Sequence, residues 1–134
     1  MTQKEKEQLL VDLCGRLPYM PKIKITYLQQ GIKGTDEGRV SCDFIEKIVN
    51  DLRNGVITDM QIYLRPLSSM TDEEREEYRK FSYYGAAGMR DNDFTEMVAV
   101  PSFEKMDYLN SHHFDYRGLI EKGLAIAVNE NNNP

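Results

Sequence analysis

The apolar residues of this chain change their spacing along the sequence, from the period of a helix to that of a strand and back. Thr2 and Glu5 form a capping box, and the stripe that follows predicts a helix from Gln3 to Arg16. The stripe consists of Leu9, Leu10, Leu13, Cys14 and Leu17. Proline donates no backbone hydrogen bond, so Pro18 ends this helix.

Strand periodicity follows the first helix. Residues 22–28 alternate apolar and polar side chains, which predicts a half-buried strand, and residues 60–64 repeat the pattern before Pro66. Three glycines predict a hairpin loop over residues 31–38. The inward-facing residues of a second strand are then expected to be Val40, Cys42 and Phe44.

Residues 43–53 fit two periods. Their apolar residues match a helical stripe, and Gly55 occupies the position expected for a C-terminal cap. The same residues also allow the preceding strand to continue through Val49. The sequence leaves both alternatives open.

The second half of the chain adds helices and short strands. Thr71 and Glu74 form a second capping box, which predicts a helix reaching about Phe81. The further predicted elements are a loop over 83–93, a strand over 94–100, a helix over 102–112, a turn and short strand over 114–128, and a frayed tail over 129–134. These patterns predict one α+β domain, with a small, mostly antiparallel sheet, an N-terminal helix and two or three further packed helices.

Composition restricts the classes of function. A net charge of -5 disfavours generic binding to nucleic acid, which draws affinity from Lys and Arg contacts to phosphates. Residues 1–7 contain no apolar run, so neither a signal peptide nor a membrane span is predicted there, and we expect a cytoplasmic protein. Cys14 and Cys42 lack metal-finger spacing and are expected to be buried, reduced thiols. We expect no bound metal and no cofactor.

One cluster carries groups that are able to perform acid–base chemistry. His112, His113 and Asp115 combine imidazole and carboxylate, the groups used in metal sites and proton transfer. Adjacent side chains on a helix point about 100° apart, however, which makes it difficult for both histidines to bind one ion. The structural alternative is that one histidine closes a helix end while the other is solvated.

A second cluster carries residue types that anchor protein interfaces. Aromatic residues and arginine are enriched at the centres of such interfaces, and several of them occur within a short stretch of this chain. The predicted partner-binding residues are Tyr63, Arg65, Tyr78, Tyr83 and Tyr84. The alternative is that each tyrosine buries its ring and directs its hydroxyl towards water.

Three segments also carry a resemblance to a known family. They are LLVDLCGRLP at residues 9–18, YLRPLSSMTDEE at residues 63–74, and YLNSHHFDYRGLIEKGLA at residues 108–125. Together they resemble a family of uncharacterised small proteins found in gut-bacterial genomes and in their phages or mobile elements. The resemblance implies a phage or mobile-element origin, and it implies no catalytic residue or ligand.

These observations favour a non-enzymatic binding or adaptor protein over an enzyme. The expected partner is a protein, contacted through the region from Tyr63 to Tyr84. With the origin that the resemblance implies, our hypothesis is a phage or mobile-element accessory factor that acts on a host protein. Self-association into a homo-oligomer is also compatible with such a surface. The alternative function is a small metal-dependent or acid–base enzyme centred on His112, His113 and Asp115.

Overall fold

The computed structural model describes residues 1–81 and 103–128 of the chain. Four helices and four strands lie within these residues. In chain order they are α1 (Gln3–Arg16), β1 (Lys22–Gln29), β2 (Ile32–Arg39), α2 (Ile45–Arg53), β3 (Ile57–Leu64), α3 (Asp72–Lys80), α4 (Phe103–Ser111) and β4 (Ala125–Ala127).

Helix α1 has the predicted bounds, because its capping box forms. The Thr2 hydroxyl accepts the Glu5 N–H, and the Glu5 carboxylate accepts the Thr2 N–H, both at 3.1 Å. The buried face differs from the predicted apolar stripe: it consists of Leu9, Asp12, Leu13 and Arg16. Cys14 lies on the solvent side of this helix and Cys42 is also exposed, so the prediction of buried thiols is wrong.

The four strands form one mixed sheet in the order β2-β1-β3-β4. Strand β1 pairs antiparallel with both β2 and β3, while β4 joins β3 in parallel. The α+β prediction is confirmed. The parallel pair follows from the connection, because the chain crosses over through α3 and α4 between β3 and β4.

Strand β2 occupies the segment predicted to be a loop, and that prediction is wrong. The β1–β2 hairpin closes with a turn of only two residues, Gln30 and Gly31, both with positive φ (52° and 78°). Such a turn matches the twist of the flanking strands, so pairing begins immediately after it. The glycines at positions 34 and 38 therefore lie within a strand.

The open question over residues 43–53 is resolved in favour of a helix, α2. Gly55, with a φ of 79°, follows the helix end as expected of a C-terminal glycine. Before α2 the chain makes a 3-10 turn at Cys42–Phe44 rather than continuing as a strand. Of the three residues predicted to face inward there, Val40 is buried, whereas Cys42 and Phe44 are exposed.

Helix α3 begins with the predicted capping box, in which the Thr71 hydroxyl accepts the Glu74 N–H at 3.1 Å. The predicted loop over 83–93, the strand over 94–100 and the tail over 129–134 lie outside the described residues. Within residues 1–81 and 103–128, no helix has the length and apolarity needed to cross a membrane.

The described residues form two apolar clusters. One lies between the sheet, α1 and α2, and includes Leu9, Leu13, Leu52, Met60, Ile62 and Leu64. The other lies where α3 and α4 meet the C-terminal segment, and consists of Met70, Tyr78, Tyr108, Leu109 and Phe114. Each fully buried side chain of this kind stabilises the fold by about 1.5–3 kcal/mol.

Candidate functional site

Arg65, just after the end of β3, and Glu74, in the first turn of α3, form a bidentate ion pair. Arg65 donates from Nη1 to Oε2 and from Nη2 to Oε1 of Glu74, each at 2.8 Å. These hydrogen bonds are the main reason why the pKa of Glu74 is lowered to about 2. Glu74 also accepts the Thr71 N–H of the capping box. This carboxylate therefore stays ionised and joins α3 to β3.

The two predicted histidines lie in different surroundings. The His112 ring stacks on Tyr108 with centroids 4.2 Å apart, and its Nδ1 lies 3.4 Å from Oε2 of Glu74. His113 has a φ of 60°, and its carbonyl accepts the Arg65 N–H. Burial and nearby arginines lower the pKa of His113 to about 4, so its ring is neutral at pH 7.

Asp115 closes a turn rather than orienting a histidine. Its two carboxylate oxygens accept the N–H groups of Leu119 and Ile120 at 2.9 and 3.0 Å. Among the described residues, no hydrogen bond joins any two of His112, His113 and Asp115. In the same residues, no three His, Cys, Asp or Glu side chains come together in a group able to hold a metal ion.

The predicted partner-binding tyrosines that the structure describes are buried. Tyr63 is 5% exposed, and its hydroxyl donates to Glu37 at 2.7 Å. Tyr78 has no exposed surface, and burial raises its pKa to about 12. Both rings are buried, as the alternative in the sequence analysis expected, but the hydroxyls do not follow it: Tyr63 donates to Glu37, and Tyr78 has no surface in contact with water. Tyr83 and Tyr84 lie outside the described residues, and their predicted role stays a prediction.

The structure brings members of the two predicted clusters together. Arg65 forms an isolated parallel bridge with Phe114, and its guanidinium lies 4.3 Å from the centre of the Phe114 ring. Glu74 touches both Arg65 and His112. This arrangement fixes β3, α3 and the C-terminal segment relative to one another. Sequence spacing alone does not indicate it, because the two clusters lie far apart along the chain.

A buried ion pair that the sequence did not predict lies within α1, next to the C-terminal segment. Arg16 donates to Asp12 at 2.7 Å, and both side chains are fully buried. Arg16 also donates to the Phe114 carbonyl at 2.6 Å, and Arg117 lies 3.2 Å from Asp12. This network attaches α1 to the C-terminal segment. The available signal was the i, i+4 spacing of the two charges, which does not separate a buried pair from the usual pair on a solvated helix face.

A groove lies between α2 and the β1–β2 half of the sheet. Its apolar lining includes Ile23 and Ile25 of β1, together with Phe44 and Ile48 at α2, and its volume is about 300 Å³. Phe44 is 60% exposed at this groove. Charged residues also line the groove: they are Asp36, Glu37, Arg39, Lys47 and Asp51. Strand alternation directs the side chains of Glu37 and Arg39 to the opposite face of the sheet, so Asp36, Lys47 and Asp51 supply the charges of the rim. The groove therefore combines an apolar interior with a charged rim of mixed sign.

One side of β2 has no strand partner among the described residues, since β2 is at the edge of the sheet. The pair that closes a two-residue hairpin, here Gln29 and Ile32, is hydrogen-bonded, and bonded pairs then alternate along the ladder. The Val40 N–H bond to the Pro21 carbonyl at 2.9 Å fits this alternation. The residues whose backbone groups point away from β1 are therefore Lys33, Thr35, Glu37 and Arg39.

Few large apolar side chains identify β2 as a strand. Its residues are Ile-Lys-Gly-Thr-Asp-Glu-Gly-Arg, which lack the usual alternation. A cross-strand contact takes the place of the missing apolar side chains. The Tyr27 ring covers Gly34 so closely that a Cβ placed there would lie 2.4 Å from the ring. An aromatic ring over a strand glycine is a known way to compensate for the missing side chain.

Comparisons with protein-family models, with characterised proteins and with solved structures give no match for this chain. The resemblance of the three segments to small proteins of gut-bacterial genomes thus stays a prediction. Function is accordingly inferred from the groove, the β2 edge and the side chains around them.

Proposed function

We propose that this chain is a non-enzymatic binding or adaptor protein that holds an extended segment of another protein against β2. One observation carries the proposal: the apolar groove opens directly beside a sheet edge whose outward backbone groups have no strand partner among the described residues. Addition of a strand to such an edge is a common mode of peptide recognition. The bound segment would become a fifth strand next to β2.

Affinity and selectivity would come from different groups. Main-chain hydrogen bonds to the outward groups of Lys33, Thr35 and Glu37 supply affinity for any extended chain. Alternate side chains of the bound segment face the groove, where Ile25 and Phe44 offer apolar contact. Burying one apolar side chain there contributes about 1.5–3 kcal/mol. The proposed ligand is therefore an extended segment with at least one large apolar residue.

The identity of the partner rests on the resemblance. If the three segments do mark a phage or mobile-element protein, the partner is a host protein and the chain is an accessory factor. Tyr83 and Tyr84 stay predicted contacts for that partner. An enzyme centred on His112, His113 and Asp115 also stays a prediction; in the structure, Asp115 is engaged by backbone amides instead of by either histidine.

The proposal is tested with peptides selected from a random displayed library against the purified chain. Selected peptides should carry a large apolar residue and should shift backbone NMR signals of β2 and of Ile48. Phe44→Asp should weaken their binding at least about tenfold, because it places a charge in the apolar groove. The side chain is largely exposed, so the fold should be unaffected.

Val11→Asp is the matched control for this experiment. Val11 is a comparably exposed apolar residue on α1, and it does not line the groove. Peptide affinity should stay within about twofold of wild type in this variant. Failure to select any peptide, or peptides whose binding survives Phe44→Asp, would contradict the proposed function.

A further inference from the structure

We propose that the edge and groove are occupied, in the free protein, by a second copy of this chain. The two β2 strands would pair antiparallel about a twofold axis through Thr35, and the two sheets would become one. The dimer proposal rests on the proposed function, because it assigns the same groove and β2 edge as the binding surface. Three features of β2 point to this occupant: its backbone pattern, its charges and Ile32.

The backbone pattern restricts the register. Hydrogen-bonded pairs across the new edge must join residues that both point outward, so odd-numbered residues of β2 face odd-numbered residues of the second copy. Two registers that meet this condition keep nearly the whole strand paired. One axis passes through Thr35 and pairs residues 32–38 with each other; the other passes through Asp36 and pairs residues 33–39.

Charge distinguishes the two registers. With the axis at Thr35, Lys33 of each copy faces Glu37 of the other, which gives two attractive pairs. With the axis at Asp36, Lys33 faces Arg39 of the second copy, and the two Asp36 residues face each other. The strand is thus complementary to itself in the first register only. Glu37 accepts the Tyr63 hydroxyl and lies 4.0 Å from Lys22 Nζ, but its side chain is 42% exposed and has room for Lys33 of the second copy as well.

Ile32 supplies the apolar contact in the same register. Its side chain is 67% exposed in the single chain, and strand alternation places it on the groove face of the sheet. The axis at Thr35 sets Ile32 opposite Gly38 of the second copy. Gly38 lines the groove, and the space above it is open. Ile32 would therefore cover the mouth of the other copy's groove.

The test uses charge reversal and complementation, measured by sedimentation velocity over a range of concentrations. Wild type should dimerise, and Lys33→Glu or Glu37→Lys alone should raise the dissociation constant about tenfold or more, because each creates two like-charged pairs. An equimolar mixture of the two variants should restore dimers, since both cross-strand pairs then have opposite charges. Circular dichroism confirms that each variant folds, which matters because Glu37→Lys removes the Tyr63 hydrogen bond.

Ile32→Ser should also weaken the dimer, while Val11→Ser should leave it unchanged. Amide exchange gives an independent measurement: the outward amides of Lys33, Thr35 and Glu37 should exchange more slowly as concentration rises. A wild-type chain that stays monomeric at millimolar concentration, or a mixture no tighter than the single variants, would overturn the dimer.

The two proposals fail separately. A monomer whose selected peptides depend on Phe44 overturns the dimer and leaves the proposed function intact. If wild type dimerises with the charge-reversal pattern and the monomeric Lys33→Glu variant, whose groove is open, also selects no peptide, the self-association is supported and binding of other proteins is contradicted.

Discussion

Two regions of this molecule treat their polar and apolar groups in opposite ways. Where α1 meets the C-terminal segment, Asp12 and Arg16 are fully buried and hydrogen-bonded to each other, and Arg16 also bonds the Phe114 carbonyl. At the β2 edge, backbone groups have no strand partner among the described residues, while Ile32 and Phe44 are largely exposed. The first region is built to stay closed, and the second is suited to contact with another chain.

The largest expected effect tests the closed region. Asp12→Asn leaves two guanidinium groups, of Arg16 and Arg117, without their carboxylate, and we expect the free energy of unfolding to fall by about 3–5 kcal/mol. Urea denaturation monitored by circular dichroism measures the loss. Asp51→Asn is the control, because Asp51 pairs with Lys47 at the same i, i+4 spacing on the surface. That variant should lose no more than about 0.5 kcal/mol.

Equal losses in the two variants would remove the distinction between a closed and an open region. A loss below about 1 kcal/mol in Asp12→Asn would show that the buried pair does not hold α1 to the C-terminal segment.

The second prediction concerns pH and the Arg65–Glu74 pair. The pKa of Glu74 is about 2 in the folded chain and about 4.3 in an unfolded one, so the unfolded state binds more protons between these values. Its ionised form stabilises the fold above about pH 4.5, and that stabilisation is lost as pH falls towards 2. At pH 7 wild type should exceed Glu74→Gln in stability by on the order of 2 kcal/mol.

Urea titrations from pH 7 to pH 3 check this prediction. The gap between wild type and Glu74→Gln should narrow steadily below pH 4.5. Glu76→Gln is the control, because Glu76 pairs with Arg79 and its side chain is largely exposed. A gap that stays constant with pH would mean that Glu74 contributes through packing and not through its charge.

The smallest expected effect tests the β2 region. Gly34→Ala places a methyl group against the Tyr27 ring, which must move, so we expect a loss of about 1 kcal/mol. Gly38→Ala is the matched control, since nothing lies within 4 Å of its new Cβ and its stability should be equal or slightly higher. Thermal denaturation of the two variants at low concentration compares them. If Gly38→Ala lost more stability than Gly34→Ala, the space above Gly38 would not be open.

The sequence predicted the elements whose signals are local. Both capping boxes, Thr2 with Glu5 and Thr71 with Glu74, form as expected because each needs only four consecutive residues. Strand β2 was missed because its position depends on a turn and on the ring of Tyr27 across the hairpin. Pairing with a neighbouring strand outweighed the weak strand preference of its own residues.

The burial of α1 shows why an apolar stripe is an incomplete guide. Asp12 and Arg16 belong to the buried face because they satisfy each other's charge, and this turns Cys14 towards solvent. The candidate site was predictable in part: Arg65 and His112 were both selected, but their meeting at Glu74 depends on the bridge between Arg65 and Phe114. No periodicity in the sequence encodes a pairing between segments so far apart.

The parallel pairing of β4 with β3 also determines the order in which the sheet is completed. The pairings of β1 with β2 and with β3 join residues closer in sequence and form early, whereas β4 must wait for the whole α3–α4 connection. A nascent chain that has left the ribosome only as far as α3 therefore carries β3 with an unprotected flank. Chaperones would have most to do during that interval.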